Sequence, residues 1–168
     1  MPMARTETDL FVYGTLRHDQ PEHARFCRGL TGWQPARARG RLFRLVEGYL
    51  LMVIQPAAIL RGATGDAAAD ERRRRELVPE DLERAVNALE QAGESWISGE
   101  VLAFTDAGRT WPPLDRWEGV TPGRDSVYLR VVVPVQTDDP LHPWRPAWIY
   151  AATRAPAGAV EVSAAPPG

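Results

Sequence analysis

Asp9-Leu10-Phe11-Val12-Tyr13-Gly14-Thr15-Leu16-Arg17 is the stretch on which the fold turns. The unbroken apolar and aromatic run from Leu10 to Tyr13, stopped by Gly14, reads as a buried strand entering a glycine turn. A glycine directly after a buried strand permits dihedrals and close approaches that a Cβ would block. Successive backbone N–H groups in such a turn can form an anion-binding concavity, suited to a carboxylate or a developing oxyanion. The alternative local reading is a plain strand-end turn.

A second stretch, Leu114-Asp115-Arg116-Trp117-Glu118-Gly119-Val120, lies a hundred residues on. Asp115 and Glu118 are three apart and can share one helical face. Two close carboxylates push one pKa upward, and so does the apolar bulk of Trp117. A glutamate tuned to roughly 6–7 is a competent general base near neutral pH. Taken alone, Glu118 reads as a solvated surface residue.

Outward from these two stretches, strands outnumber helices. Ala38–Val46, Leu50–Ile54, Gly99–Phe104, Val127–Val135 and Pro146–Ala151 all read as strands. A short surface helix is expected over Pro21–Arg28, between Pro21 and Gly29. The clearest helix is expected over residues 79–92, where Pro79 opens it, Gly93 closes it, and Leu82, Val86 and Leu89 form one apolar face. Residues 61–76, with the run Arg72 to Arg75, are expected to be exposed. Trp111-Pro112-Pro113 is expected to break the chain, leaving one helical turn from Leu114 to Trp117. The helices fall irregularly among the strands, which argues against a doubly wound parallel sheet. The expectation is an α+β fold, a small mixed β-barrel with flanking helices. One domain is expected over residues 1–154, with a disordered Ala/Pro/Gly-rich tail over 155–168.

Composition narrows the chemistry. All 20 basic residues are arginine, so no lysine serves a phosphate loop, a Schiff base or general-base catalysis. Cys27 is the single cysteine, which excludes an internal disulfide and a cysteine-rich metal site. That fits a reducing cytoplasm, and the polar segment Met1–Asp9 has no signal-peptide core. A formal charge of −2 provides no field to draw the chain to nucleic acid or an anionic membrane. His18, His23 and His142 make a poor zinc pattern, and the first two read as solvated. Ser95, Ser98, Ser126 and Ser163 show no nucleophile elbow. No nucleic-acid module and no span of 18 apolar residues appears.

The segment Val12-Tyr13-Gly14-Thr15-Leu16, the run Arg17-His18-Asp19-Gln20-Pro21-Glu22-His23, and Leu114-Asp115…Glu118-Gly119 together resemble the γ-glutamyl cyclotransferase-like family, in its γ-glutamylamine branch. Val127-Tyr128-Leu129-Arg130 resembles the family strand that follows the catalytic glutamate. The resemblance implies that Glu118 is the catalytic base, with Tyr13, Gly14, Thr15, Leu16 and Tyr128 binding substrate. Tyr128 reads equally well as a half-buried strand tyrosine, and Glu100 ranks well behind Glu118 as a base. The resemblance implies a cofactor-free and metal-free reaction that releases 5-oxoproline and an amine from a small-molecule γ-glutamyl substrate. Two alternatives stay open: a biosynthetic deprotecting cyclotransferase, and a non-catalytic small-molecule or protein-binding module on the same fold. Where the family reads Gly-Tyr-Pro, this chain has Gly48-Tyr49-Leu50. It also carries about 45 residues between Val53 and Gly99 where the family has a short connection. This inserted segment, about 54–97, is expected to place its helix as a lid or wall beside the pocket.

Overall fold

The computed structural model describes residues 7–14, 16–27, 29–122, 124 and 126–163. In chain order these form β1 (Thr8–Val12), α1 (Pro21–Phe26), β2 (Leu30–Arg44), β3 (Leu50–Val53), a 3-10 turn (Pro56–Ala58), β4 (Arg61–Gly62), α2 (Ala67–Arg75), α3 (Pro79–Gln91), β5 (Ser95–Phe104), α4 (Ala107–Glu118), β6 (Leu129–Thr137), β7 (Trp144–Ala151) and β8 (Val160–Val162). Thr15 lies outside the described residues, as do 164–168.

The strands β2, β5, β1, β7 and β6 pair in that order, and β6 pairs back onto β2 through Ala36 opposite Thr137. This closes a five-stranded barrel. All its pairings are antiparallel except β1–β7, where Leu10 faces Trp148 and Phe11 faces Ile149. The expected mixed barrel with flanking helices is the fold observed.

β1 is buried on both faces. Phe11 joins a cluster with Met52, Ile97 and Ile149, while Leu10 and Val12 join another with Leu102, Trp111 and Leu114. A strand covered on both sides has no polar face to alternate with, which is why Leu10 to Val12 is continuously apolar. Behind it, Gly99 on β5 makes room for close packing: a Cβ there would stand 2.2 Å from the Val12 carbonyl oxygen and 2.7 Å from the Phe11 ring.

Four expectations change. First, α4 does not break at the prolines. Pro112 and Pro113 sit on the exposed side, while Thr110, Trp111, Leu114 and Asp115 bury the other, so packing outweighs the hydrogen bonds that two prolines forfeit. Second, residues 61–76 are only partly exposed. Asp66 caps α2 by accepting the Ala69 N–H at 3.1 Å, and Asp70, Glu71 and Arg74 are buried. Glu71 accepts the Trp148 indole N–H at 2.7 Å, the Thr8 hydroxyl and the Arg74 guanidinium, so ion pairing and hydrogen bonding replace water.

Third, the expected helix at 79–92 forms as α3, but it is not a lid. Ala85 and Leu89 pack into the cluster around Phe11, and among the described residues no part of 54–97 lines the pocket described below. Fourth, the expected tail is ordered further along the chain. β8 adds to β2 with Leu42 opposite Val162, and Arg41 holds the Glu161 carboxylate with two hydrogen bonds of 2.7 and 3.0 Å. No helix among the described residues is long and apolar enough to cross a membrane.

Candidate active site

α4 delivers Glu118 as its last residue. The helix carries Ala107, Thr110, Trp111, Leu114, Asp115 and Glu118 at offsets of three and four, so the glutamate ends the buried face. Gly119 then takes the left-handed conformation at φ 71°, and the Val120 N–H returns to the Asp115 carbonyl at 2.7 Å. That turn requires a residue without a Cβ penalty, which explains the Glu-Gly pair.

Glu118 opens onto a cavity of about 670 Å³. β1 and the turn after it contribute Tyr13, Gly14 and Leu16 to the same cavity, and the segment before β6 contributes Tyr128. The structure thus gathers every sequence-derived site residue except Thr15, which lies outside the described residues. Among the described residues, no donor or cation holds the Glu118 carboxylate. Burial, with the Asp115 charge adding to it, pushes its pKa from the ordinary 4.5 up to about 7. The negative end of α4 acts in the same direction.

Gly14 differs from what the sequence implied. It has no positive φ, and among the described residues other than its chain neighbours a Cβ built on it would meet no atom within 4 Å. Neither chain conformation nor protein packing calls for glycine here; the open space belongs to the cavity. Among the described residues, the backbone N–H groups of Gly14 and Leu16 have no acceptor within the protein.

The two tyrosines are tied to backbone. The Tyr13 hydroxyl donates to the Tyr150 carbonyl at 2.7 Å and accepts the Met52 N–H at 3.0 Å, joining β1, β7 and β3. The Tyr128 hydroxyl donates to the Leu50 carbonyl at 2.6 Å. Burial pushes both phenols well above their ordinary pKa. They shape the cavity wall and remain protonated.

Asp115 faces away into a buried charge cluster. It accepts Arg130 Nε at 2.8 Å and Nη2 at 3.1 Å, and the Tyr150 hydroxyl at 2.6 Å. Arg130 lies between the Trp111 and Trp148 rings, 4.4 and 4.8 Å from their centroids, and also reaches Asp70 of α2 at 3.8 Å.

Glu100 is engaged elsewhere. It is buried, accepts the His18 backbone N–H at 2.7 Å, and pairs with the His18 ring. That ring stacks on Trp33, with centroids 3.7 Å apart, and His23 contacts the Leu16 carbonyl at 2.9 Å. The two histidines expected to be solvated therefore pin the turn after β1. Sequence reading also missed Arg17, Tyr49 and Trp117 as parts of the cavity lining.

Residues 10–76 and 67–165 match the family described as Gamma-glutamyl cyclotransferase, AIG2-like. The chain belongs to this family. The two matched stretches meet inside the segment expected to be an insertion. No curated protein sequence matches the chain. Among solved structures, an AIG2-like protein from Mus musculus is 18% identical, with a TM-score of 0.54 over 89% of this chain and 80% of that one, and it shares the fold. YkqA from Bacillus subtilis is 20% identical over 87% of this chain and 36% of that one, with a TM-score of 0.48. The protein PH0828 from Pyrococcus horikoshii is 15% identical over 92% and 85%, with a TM-score of 0.45.

Proposed function

We propose that this family member is a γ-glutamyl cyclotransferase acting on γ-glutamyl amides, with Glu118 moving the protons. The observation that carries the reading is Glu118 itself: a carboxylate with no protein partner among the described residues, raised to a pKa of about 7, in a cavity beside an open glycine turn. Such a group is half ionised near neutral pH and can both take and return a proton.

In this reading Glu118 takes a proton from the substrate α-ammonium. The freed amine attacks the γ-carbonyl carbon of the same glutamyl unit, forming a C–N bond and closing a five-membered ring. The N–H groups of Gly14 and Leu16, which have no acceptor among the described residues, are suited to the oxygen that gains charge, a role worth roughly 3–4 kcal/mol per donor in known oxyanion holes. Glu118 then returns the proton to the leaving nitrogen as the original amide C–N bond breaks, and the second proton of the attacking nitrogen passes to the departing amine, which leaves as its ammonium ion. The products are 5-oxoproline and a free amine. Nucleophile and electrophile share one molecule, so holding the bent conformer supplies much of the rate.

The test is 5-oxoproline release, read by mass spectrometry, from a panel of γ-glutamyl amines and peptides with wild type and Glu118→Gln side by side. Release by wild type that the substitution abolishes is expected. A folded wild type that releases nothing from any member overturns the reading in favour of a binding module.

A further inference from the structure

The cavity is larger than one γ-glutamyl unit needs. Its volume of about 670 Å³ falls within the range of pockets that bury whole drug-sized ligands, roughly 300–1,000 Å³. Its lining is uneven. Phe11, Val12 and Tyr150 are almost fully buried, whereas Tyr49 is 55% and Val127 50% exposed, and Leu45, Leu50, Trp117 and Tyr128 add apolar surface to the same lining.

Large apolar side chains left uncovered at the mouth of a cavity mark a surface that a ligand covers. These lips are held in place before any ligand arrives. Tyr49 sits in a turn closed by Leu45 N–H to the Tyr49 carbonyl at 2.8 Å and Gly48 N–H to the Leu45 carbonyl at 2.9 Å. The Tyr128–Leu50 hydrogen bond ties that hairpin to the segment carrying Val127. The charges at the mouth are mixed. Glu47 is exposed, Arg17 belongs to the same lining, and Arg44 donates to the Gly48 carbonyl at 3.2 Å, so no single sign of charge dominates.

We infer that Tyr49 and Val127 form an amine subsite that selects γ-glutamyl amides of bulky aromatic or branched apolar amines over those of small amines. The inference rests on the γ-glutamyl reading of the cavity. It adds the chemical class of the leaving group and two specificity-determining residues outside the proton-transfer machinery.

The experiment compares two probes, L-glutamate γ-phenethylamide and L-glutamate γ-methylamide. Calorimetry measures the binding of each to Glu118→Gln, and 5-oxoproline release by wild type measures kcat/KM. A single apolar group in a fitted pocket is worth roughly tenfold or more, so the phenethylamide is expected to win by at least that factor in both assays. Tyr49→Ala and Val127→Ala, both at exposed positions, are each expected to shrink that ratio while leaving the methylamide unchanged. Equal binding of the two probes, absence of binding by either, or a preference that survives both substitutions overturns the inference. Absence of release with the binding preference intact overturns the cyclotransferase reading alone and leaves the apolar subsite standing.

Discussion

Arg130 grips Asp115 through two parallel hydrogen bonds, Nε to Oδ1 at 2.8 Å and Nη2 to Oδ2 at 3.1 Å, one helical turn before Glu118. The pair is buried between two tryptophan rings and shared with Asp70. One cation thus serves two buried carboxylates, so the cluster behind Glu118 keeps a net negative charge. Burial, with the Asp115 charge adding to it, keeps the glutamate's proton affinity high. Removing the shared cation would leave both carboxylates buried and uncompensated. Arg130→Met is therefore expected to cost about 3–5 kcal/mol of stability, measured as a lower urea midpoint. A midpoint equal to wild type would mean that the cluster does not bear on stability.

Glu118 makes stability fall as pH rises. Its carboxyl ionises at about 7 in the folded protein and near the ordinary 4.5 in the unfolded chain. Between those values the folded state holds the proton more tightly, so stability is lost across that window and the penalty is complete above it. The difference corresponds to about 3 kcal/mol. Glu118→Gln carries no such penalty: it should match wild type at pH 4 and exceed it by about that amount at pH 8 in urea titrations. Under the proposed reaction, kcat/KM of wild type should fall tenfold per pH unit below about 7, because only the ionised carboxylate accepts the proton. A flat acid limb would remove Glu118 from the base role.

Gly99 answers to packing. A Cβ at this position would stand 2.2 Å from the Val12 carbonyl oxygen and press on the Phe11 ring, and backbone on a paired strand cannot step aside. Gly99→Ala is expected to lose at least 1–3 kcal/mol, roughly the cost of overpacking a core, with a matching fall in thermal midpoint. An unchanged midpoint would mean that β1 and β5 can separate locally.

How much of this was legible in the sequence follows from where the information sits. The apolar run Leu10–Tyr13, the β-branched stretch of β6 and the apolar face of α3 are local patterns, and each became the expected element. Glu118-Gly119 was reached through the family resemblance; the structure adds the local reason for the pair, a helix ending in a left-handed residue. The double proline misled because it marks a helix break only when packing does not overrule it; here Trp111 and Leu114 pack against the barrel on the opposite face. The charges of α2 looked like a solvated run because their partners, Thr8, Trp148 and Arg130, are far away in sequence. His18 and Glu100 are 82 residues apart and meet only once the barrel closes. Long-range pairing of this kind leaves no mark in a local window.

The sharpest separation of folding from function lies at Gly14. Glycine there is required neither by a positive φ nor by a described neighbour, since among the described residues beyond its chain neighbours a Cβ would meet nothing within 4 Å. A methyl group should therefore be neutral for folding, or raise stability by about 0.4–1 kcal/mol by restricting the unfolded chain. Its cost should appear only when substrate fills the space. Displacing a bound reactant by about an ångström costs roughly a hundredfold in rate, so Gly14→Ala should keep its thermal midpoint and lose activity on that scale in 5-oxoproline release. The same substitution should also weaken binding of the glutamate amides to Glu118→Gln. Full activity in a stable Gly14→Ala protein would place the reacting group away from this turn, and the donors opposite Glu118 would then have to be sought on another wall of the cavity.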